Sequence, residues 1–339
     1  MKTKRSIQFL YRYDLDIKLK CLVRHTHVMA ILTIDNLSVH YQSGRENLEA
    51  IDKASFSLPE KESIGIVGES GSGKSTLALS IMRSLQKNSH INGKIIFNGN
   101  QILSMPDLEF TRNLRWKKIS MVFQGAMNSL DPVFSIRKQL EEILKKHGYD
   151  QDLTKKIEEA VLSVELPADI LDKYPHELSG GMKQRVVIAM ALLLKPKLII
   201  ADEPTTALDV LVQAQIIALL KKLKMEGMSI MLISHDLAIV SEIAEKIAVM
   251  YAGQVIEYGN LSDIYKNPLH PYTDALLNSV PKIHEDKKLI ALEGSPPSLI
   301  RPPPGCRFYE RCPRAMEKCK KDPPKINTSS GYVLCWLYE

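Results

Sequence analysis

Apolar and polar residues alternate in two stretches near the beginning of the chain. The first covers 32–41 and the second 51–58, and Ser43–Gly44 lies between them. Alternation with this period is typical of strands that bury one face, and a short segment with glycine between two such strands favours a turn. We therefore predict two antiparallel strands, the first of which ends at Tyr41.

Continuous apolar runs, rich in β-branched residues, recur further along the chain. The runs lie at 63–67, 94–97, 119–123, 198–201 and 229–233. Short runs of this kind predict buried strands. Helical spacing of apolar residues predicts helices across 134–147 and 152–165, whose charged faces we interpret as solvated surface. The succession of strands and helices predicts an α/β fold.

The run at 63–67 breaks into the segment GESGSGKST at 68–76, and an apolar helix pattern follows it. Glycine permits backbone conformations that turn successive N–H groups inward, and a helix start attracts anions. The segment predicts a P-loop in which Lys74 reaches the β- and γ-phosphates and Ser75 places its hydroxyl on Mg²⁺. The predicted nucleotide-binding residues of this loop are Gly68, Ser70, Gly71, Gly73, Lys74, Ser75 and Thr76.

Two further predicted strands lead into ionisable side chains. Asp202 and Glu203 follow the run at 198–201, and adjacent carboxylates at this point suit a P-loop ATPase with Asp202 in the metal shell. We interpret Glu203 as the general base, and the alternative is a second carboxylate of the metal shell. His235 follows the run at 229–233, where open α/β sheets bind ligands, although a lone histidine is usually structural.

Three other features complete the candidate site. Ser179-Gly180-Gly181 opens an apolar helix pattern, which predicts a second anion site at a helix start. Gln124 is predicted to close the strand that begins at 119. Tyr41 has two interpretations, either a partly buried residue at a strand end or an aromatic ring that stacks on adenine.

Composition and charge narrow the class of protein. The chain has 339 residues, 45% of them apolar, and its longest apolar run, 186–194, has nine. Because a membrane span needs about 18 apolar residues, none is predicted. Residues 1–28 hold seven basic and two acidic residues, which leaves 38 basic against 37 acidic residues beyond them. This neutral body gives no reason to expect nucleic acid as a partner.

The basic segment 1–28 lacks the apolar core and cleavage site of a secretory signal peptide. The alternation typical of strands begins only after Met29. We therefore expect the segment 1–28 to lie outside the folded domain, with Met29 as the start of the protein proper. The alternative is a basic arm that lies on an anionic membrane surface.

The motifs GESGSGKST, LSGGMKQR and ADEPTTALD, with Gln124 and His235 in the same order, resemble those of ATP-binding cassette (ABC) transporter ATPases. The resemblance covers about 30–260. It implies an ABC ATP-binding domain at 29–260 with a RecA-like core, an antiparallel β subdomain and a helical signature subdomain at about 125–185.

The same resemblance implies a role for each matching residue. Tyr41 would stack on adenine, His235 would be the switch histidine, and Gln124 would contact Mg²⁺, the attacking water and the membrane partner. In this family two subunits pair head to tail and share each ATP. The residues implied to grip the ATP of the opposing subunit are Ser179, Gly180 and Gly181, with Asp209 in the neighbouring D-loop.

Beyond residue 260, HPYTDALL, PPGC and RCPRA resemble the carboxyl extension of ATP-binding subunits in the oligopeptide, dipeptide and nickel importer family. This implies an extension at 261–339 with a proline-rich linker, in an ATPase that energises peptide import from the cytoplasmic face of the membrane. The implied partners are two transmembrane permease subunits, a second similar ATPase and, indirectly, an extracellular peptide-binding protein. Nickel import is the alternative. A DNA-acting ABC ATPase is more distant, because no inserted CxxC module or basic face is present.

Cys306, Cys312, Cys319 and Cys335 lie within the last 34 residues, separated by five, six and fifteen positions. We expect this short tail to need a cross-link or a bound metal group in order to fold. Disulfides are disfavoured, because the cytoplasm keeps thiols reduced. Zinc favours paired CxxC ligands, which the tail lacks, whereas a [4Fe–4S] cluster accepts thiolates from looser loops. The importer family carries such a cluster here, so the resemblance implies a structural [4Fe–4S] cluster. Zinc or four unrelated thiols are the alternatives.

Overall fold

The computed structural model describes residues 29–44, 46–279 and 293–339. The segment predicted to lie outside the domain, 1–28, falls outside the described residues. The strands are β1 (Ala30–Ser43), β2 (Glu46–Pro59), β3 (Ser63–Val67), β4 (Ser89–Phe97), β5 (Asn100–Gln101), β6 (Ile119–Val122), β7 (Leu198–Asp202), β8 (Ser229–Ile233), β9 (Lys246–Tyr251), β10 (Gln254–Asn260), β11 (Lys325–Asn327) and β12 (Tyr332–Leu334).

Helices lie between these strands and after them. They are α1 (Lys74–Ile81), α2 (Asp107–Asn113), α3 (Ile136–Lys146), α4 (Leu153–Ser163), α5 (Gly180–Leu192), α6 (Val210–Met225), α7 (Leu237–Ile243), α8 (Leu261–Lys266) and α9 (Pro271–Asn278). Among the described residues, no helix combines the length and the apolar character that crossing a bilayer requires.

Two sheets form the framework. The smaller one is antiparallel with the order β2-β1-β4-β5, and the predicted turn between β1 and β2 is confirmed. The larger sheet has the order β11-β12-β10-β9-β3-β8-β7-β6, in which β9, β3, β8, β7 and β6 run parallel. The sequence prediction of an α/β fold is confirmed. Parallel strands end at a common border, so the loops after β3, β6, β7 and β8 gather on one side.

The apolar runs are continuous because the parallel strands are covered on both faces. Ile64 and Ile66 of β3 point into a core shared with the smaller sheet and α1. The opposite face of the large sheet, represented by Ile199 and Ile230, packs with the helices between β6 and β9. Burial on both faces explains why these strands lack the alternation seen in β1 and β2.

A helical segment separates β6 from β7. The buried side of α3 consists of Ile136, Leu140 and Leu144, spaced four residues apart as the helix period requires. The helical patterns predicted over 134–147 and 152–165 are confirmed as α3 and α4. The strand predicted to close at Gln124 ends earlier, at Val122, because the chain turns there toward the short 3₁₀ helix Ala126–Ser129.

The last strands belong to the main sheet. β12 pairs with β10 at Glu257 and Tyr258, and β11 pairs with β12. The sequence suggested an appended module joined by a linker, whereas these strands lengthen the sheet that also carries the P-loop. The tail therefore has a direct mechanical connection to the ATP-binding core.

Candidate nucleotide-binding and catalytic site

A cleft of about 570 Å³ opens where β3, β6 and β7 end. Its walls combine loops from both sheets with a segment of the tail. The lining residues are Tyr41, Leu48, Ala50, Ser70, Gly71, Gly73, Lys74, Ser75, Thr76, Gln124, Glu203, Pro296, Pro297 and Leu299. Two other clefts, of about 640 and 730 Å³, contain none of the predicted site residues. The predicted residues that line this cleft are Tyr41, most of the P-loop residues, Gln124 and Glu203.

The glycine-rich loop links β3 to α1 with a geometry that larger residues cannot adopt. Gly73 has φ of +101° and precedes the helix, and a Cβ atom there would lie 2.4 Å from the carbonyl oxygen of Ala50. At Gly68, with φ of +152°, a Cβ atom would lie 2.1 Å from the carbonyl oxygen of Met250. These positive φ angles and close approaches require glycine.

Lys74 lies under the loop, with only 6% of the residue exposed. Its Nζ donates to the carbonyl oxygens of Gly68 at 2.7 Å and Glu69 at 2.8 Å. Burial lowers the pKa of Lys74, and the carboxylates of Glu203 and Asp202 act against that shift. Nζ also donates to the hydroxyl of Ser72 at 3.4 Å. A buried ammonium held by neutral oxygens is ready to exchange them for the oxygens of a phosphate.

Asp202 and Ser75 form a pair suited to a divalent cation. Asp202 is 3% exposed, and its Oδ1 is buried without a hydrogen-bond partner. Burial, together with neighbouring Glu203, raises the pKa of Asp202, while the Ser75 hydroxyl and Lys74 act to lower it. A carboxylate oxygen and a hydroxyl are hard ligands of the kind that Mg²⁺ prefers. The pair therefore fits a magnesium ion.

Glu203 is the centre of a hydrogen-bond network. Its Oε2 accepts from Gln124 Nε2 at 3.0 Å and from Thr206 Oγ1 at 3.0 Å, and its Oε1 lies 3.1 Å from His235 Nδ1. Burial acts to raise the pKa of Glu203, but the hydrogen bonds from His235 and Thr206 outweigh it and lower the pKa. The side chain is thus an ionised carboxylate at neutral pH and can accept a proton.

The position of the ring hydrogen of His235 follows from its contact with Glu203. Because an ionised carboxylate only accepts hydrogen bonds, Nδ1 of His235 carries a hydrogen and donates a hydrogen bond to Glu203. The side chain of His235 is 66% exposed to solvent. His235 lies two residues beyond the end of β8, as the strand pattern predicted for this loop.

The second predicted anion site lies elsewhere. Ser179 precedes α5 and accepts from the N–H of Met182 at 3.3 Å, and Asp209 precedes α6 and accepts from Val212 at 2.9 Å. A Cβ atom on Gly181 would lie 2.7 Å from Val212, so the starts of α5 and α6 pack closely. None of the predicted residues Ser179, Gly180, Gly181 and Asp209 lines the cleft.

Several residues of the site were not predicted from the sequence. Thr206 donates a hydrogen bond to Glu203, and Pro296, Pro297 and Leu299 form an apolar wall of the cleft. The carbonyl oxygen of Leu299 accepts from the N–H of Glu49, which fixes this wall against β2. The proline pair was visible as a linker signal, but its distant partner left no local pattern.

The four clustered cysteines surround one small cavity, which His270 and Trp336 also line. All four are free thiols, and Cys319 and Cys335 are buried. Burial raises the pKa of Cys306 to about 12 and also raises those of Cys312 and Cys335. Within the described ranges, no three His, Cys, Asp or Glu side chains converge closely enough to hold a metal ion. The thiols therefore encircle a space and do not meet at one point.

A strand, glycine-rich loop and helix with a buried lysine, followed by adjacent carboxylates on a neighbouring strand, define a P-loop ATPase. The chain belongs to the ABC transporter family. The family model described as ABC transporter matches residues 51–206, and the model described as oligopeptide/dipeptide transporter, C-terminal region, matches 256–319.

Curated relatives refine this position within the family. The chain is 47% identical over 309 residues to the oligopeptide transport ATP-binding protein OppD of Escherichia coli, covering 89% of this chain and 91% of the relative. It is 43% identical over 318 residues to the dipeptide transport ATP-binding protein DppD of Caldanaerobacter subterraneus, covering 91% and 97%. These relatives place the chain among the ATP-binding subunits of the oligopeptide and dipeptide branch.

Solved structures match the ATP-binding part. The dimeric post-hydrolysis state of the ATP-binding cassette MJ0796 with ADP and Pi has a TM-score of 0.60 at 30% identity, and covers 68% of this chain and 98% of that one. The cbiO1 protein of Clostridium perfringens, part of an ABC transporter complex, has a TM-score of 0.61 at 28% identity, covering 70% and 91%. Both support the ABC ATPase fold described above.

Proposed function

We propose that this chain hydrolyses ATP to energise the import of dipeptides or oligopeptides through a membrane complex. One observation supports this proposal above all. The ionised side chain of Glu203 is held by a hydrogen bond from His235 and lies in the same cleft as the P-loop. The match of 256–319 to the oligopeptide/dipeptide transporter C-terminal region supports a peptide as the cargo. We place the chain peripherally at the cytoplasmic face of the cell membrane, with the domain limits 29–260 and 261–339 as predicted.

In the proposed reaction, Lys74 binds the β- and γ-phosphates. Ser75, Gln124 and Asp202 would hold Mg²⁺, which would supply positive charge against the phosphates. Tyr41 stacks on adenine at the mouth of the cleft. Glu203 accepts a proton from the water whose oxygen attacks the γ-phosphorus, and the bond to the β–γ bridging oxygen breaks, leaving ADP. Gln124 and His235 orient the carboxylate and the water.

The remaining predicted residues act on a second subunit in this proposal. Ser179 and Gly180 are exposed and lie outside the chain's own cleft. A helix start with an exposed serine and glycine suits the γ-phosphate of an ATP bound by another ATPase. Release of that phosphate after hydrolysis would let the two ATPases separate and so rock the two permease subunits, while a peptide-binding protein delivers cargo from outside.

This shared site predicts that the isolated chain is a weak ATPase. We expect turnover to rise by roughly 10²-fold when the second ATPase and both permease subunits are added, because each site then gains donors to the γ-phosphate. Phosphate release in proteoliposomes, with dipeptides, longer peptides or Ni²⁺ supplied by the matching binding protein, measures both assembly and cargo. Full turnover by the diluted isolated chain would contradict the shared site, and stimulation by Ni²⁺ alone would replace peptide by nickel as cargo.

The cysteine cavity is proposed to hold a [4Fe–4S] cluster through Cys306, Cys312, Cys319 and Cys335. Four thiols around one cavity form an all-sulfur donor set, and the raised pKa values of Cys306, Cys312 and Cys335 mean that a cationic group is needed to stabilise thiolates there. A group that spans the cavity suits thiols that encircle it. Zinc remains the alternative occupant, since it also binds four thiolates. The cluster's role is structural.

Anaerobically purified protein is therefore expected to be brown, to absorb near 400 nm and to contain about four irons per chain. Cys312→Ser should lose the colour and most of the iron, because one ligand is removed. Cys21→Ser, the fifth cysteine of the chain, is the matched control and should retain both. A colourless anaerobic preparation with one zinc per chain would show that the alternative is correct.

A further inference from the structure

Glu69 follows Gly68 inside the glycine-rich loop, and each of its polar groups has a partner. Its Oε2 and Oε1 accept from Arg311 Nη1 at 2.9 Å and Nη2 at 3.0 Å. Its N–H donates to the hydroxyl of Tyr272 at 2.9 Å, and its carbonyl oxygen accepts from Lys74 at 2.8 Å. The residue therefore links the phosphate-binding lysine to two residues of the tail.

Arg311 is held rigidly on the tail side of this link. Its side chain is 7% exposed, and its Nε donates to the carbonyl oxygen of Glu293 at 2.9 Å. The guanidinium lies 5.6 Å from the ring centre of Tyr251 and 5.9 Å from that of Phe308. Because the guanidinium of Arg311 is already held against aromatic rings, it loses little side-chain freedom when it binds the carboxylate of Glu69.

The ion pair between Arg311 and Glu69 differs from the exposed ion pairs of the tail. Lys318 and Glu339 also form a contact, at 3.2 Å, but their side chains are 56% and 49% exposed. Exposed single ion pairs contribute little to stability. A bidentate ion pair between partly buried groups is stronger, and it fixes the relative orientation of the two side chains. Tyr272, which holds the backbone of Glu69, is completely buried. The loop is thus restrained through its backbone and through its side chain.

We propose that Arg311 is a positioning residue of the ATP site, which fixes Glu69 and through it the loop that binds the phosphates. The tail would then contribute to nucleotide affinity as well as to the sheet. This inference rests on the proposal that the cleft binds ATP. Arg311 reaches no reacting atom, so its effect should appear in binding and leave the chemical step unchanged.

Arg311→Ala in the assembled complex is expected to raise the KM and Kd for MgATP by about 5- to 20-fold while kcat stays within about twofold. Arg311→Lys should recover only part of the affinity, because an ammonium cannot form both contacts. In a double-mutant cycle, Glu69→Ala should cost little further affinity once Arg311 is absent. Lys318→Ala is the matched control from the same segment and should leave affinity unchanged.

The outcomes separate this inference from the proposed function. If Arg311→Ala binds MgATP as tightly as the wild type, or lowers the melting temperature and kcat with KM unchanged, Arg311 has only a structural role and the inference fails. Additive effects of Glu69→Ala and Arg311→Ala would also overturn it. If the wild-type complex itself binds no MgATP, the proposed function fails.

Discussion

Glu203→Gln is expected to lower ATP turnover by roughly 10²–10⁴-fold, the usual contribution of a general base. The amide has nearly the shape of the carboxylate and keeps a hydrogen-bond acceptor for Gln124 or Thr206, but it cannot take a proton from water. MgATP affinity should stay close to that of the wild type, because Lys74 and Ser75 are untouched.

Single-turnover phosphate release from the assembled complex measures this effect, with Kd determined separately by nucleotide titration. Glu242→Gln is a matched control, since Glu242 is an exposed carboxylate of α7 that pairs with Lys221, and neither residue lines the cleft. Equal turnover of the wild type and Glu203→Gln would assign the base to another group and leave Glu203 as a metal-shell carboxylate.

Lys74→Ala is expected to raise the Kd for MgATP by roughly 10²-fold or more. Removal of one member of a buried charged pair costs about 2–5 kcal/mol, which corresponds to factors in this range. The carbonyl oxygens of Gly68 and Glu69 would also lose their donor and would face the phosphates unpaired. Turnover at saturating ATP is a secondary measurement here, because the defect lies in binding.

Nucleotide titration of the isolated chain tests this expectation directly. Lys145→Ala removes an exposed lysine of α3 that pairs with Glu141, and it should bind MgATP normally. A Lys74→Ala chain with unchanged affinity would mean that the backbone N–H groups of the loop bind the phosphates without help from Lys74.

The sequence predicted the parts of the site that depend on local chemistry. The loop at 68–76 carries its glycines because positive φ angles and close backbone contacts require them, so its pattern is readable without the fold. Asp202 is the last residue of β7, His235 follows β8, and parallel strands bring their ends to one side of a sheet. Their convergence in space could therefore be predicted, although their roles stay predictions.

Contacts between distant segments could not be predicted. Glu69 and Arg311 are 242 positions apart, and neither has a neighbour in sequence that marks the pair. The helix α2 was missed as well, because it is short and Phe110 is its buried residue, which gives no periodic pattern. The pairing of β12 with β10 involves two residues of each strand, too few to leave a signal.

That pairing has a consequence for the behaviour of the protein in concentrated solution. β10 has five consecutive buried residues, from Val255 to Gly259. If the outer edge of such a strand were unpaired, its backbone N–H and C=O groups could pair with a strand of another chain. β12 covers its middle, and β11 ends the sheet with three residues that begin at Lys325. A short terminal strand with a charged residue discourages edge-to-edge association. The tail thereby protects the ATPase core against aggregation.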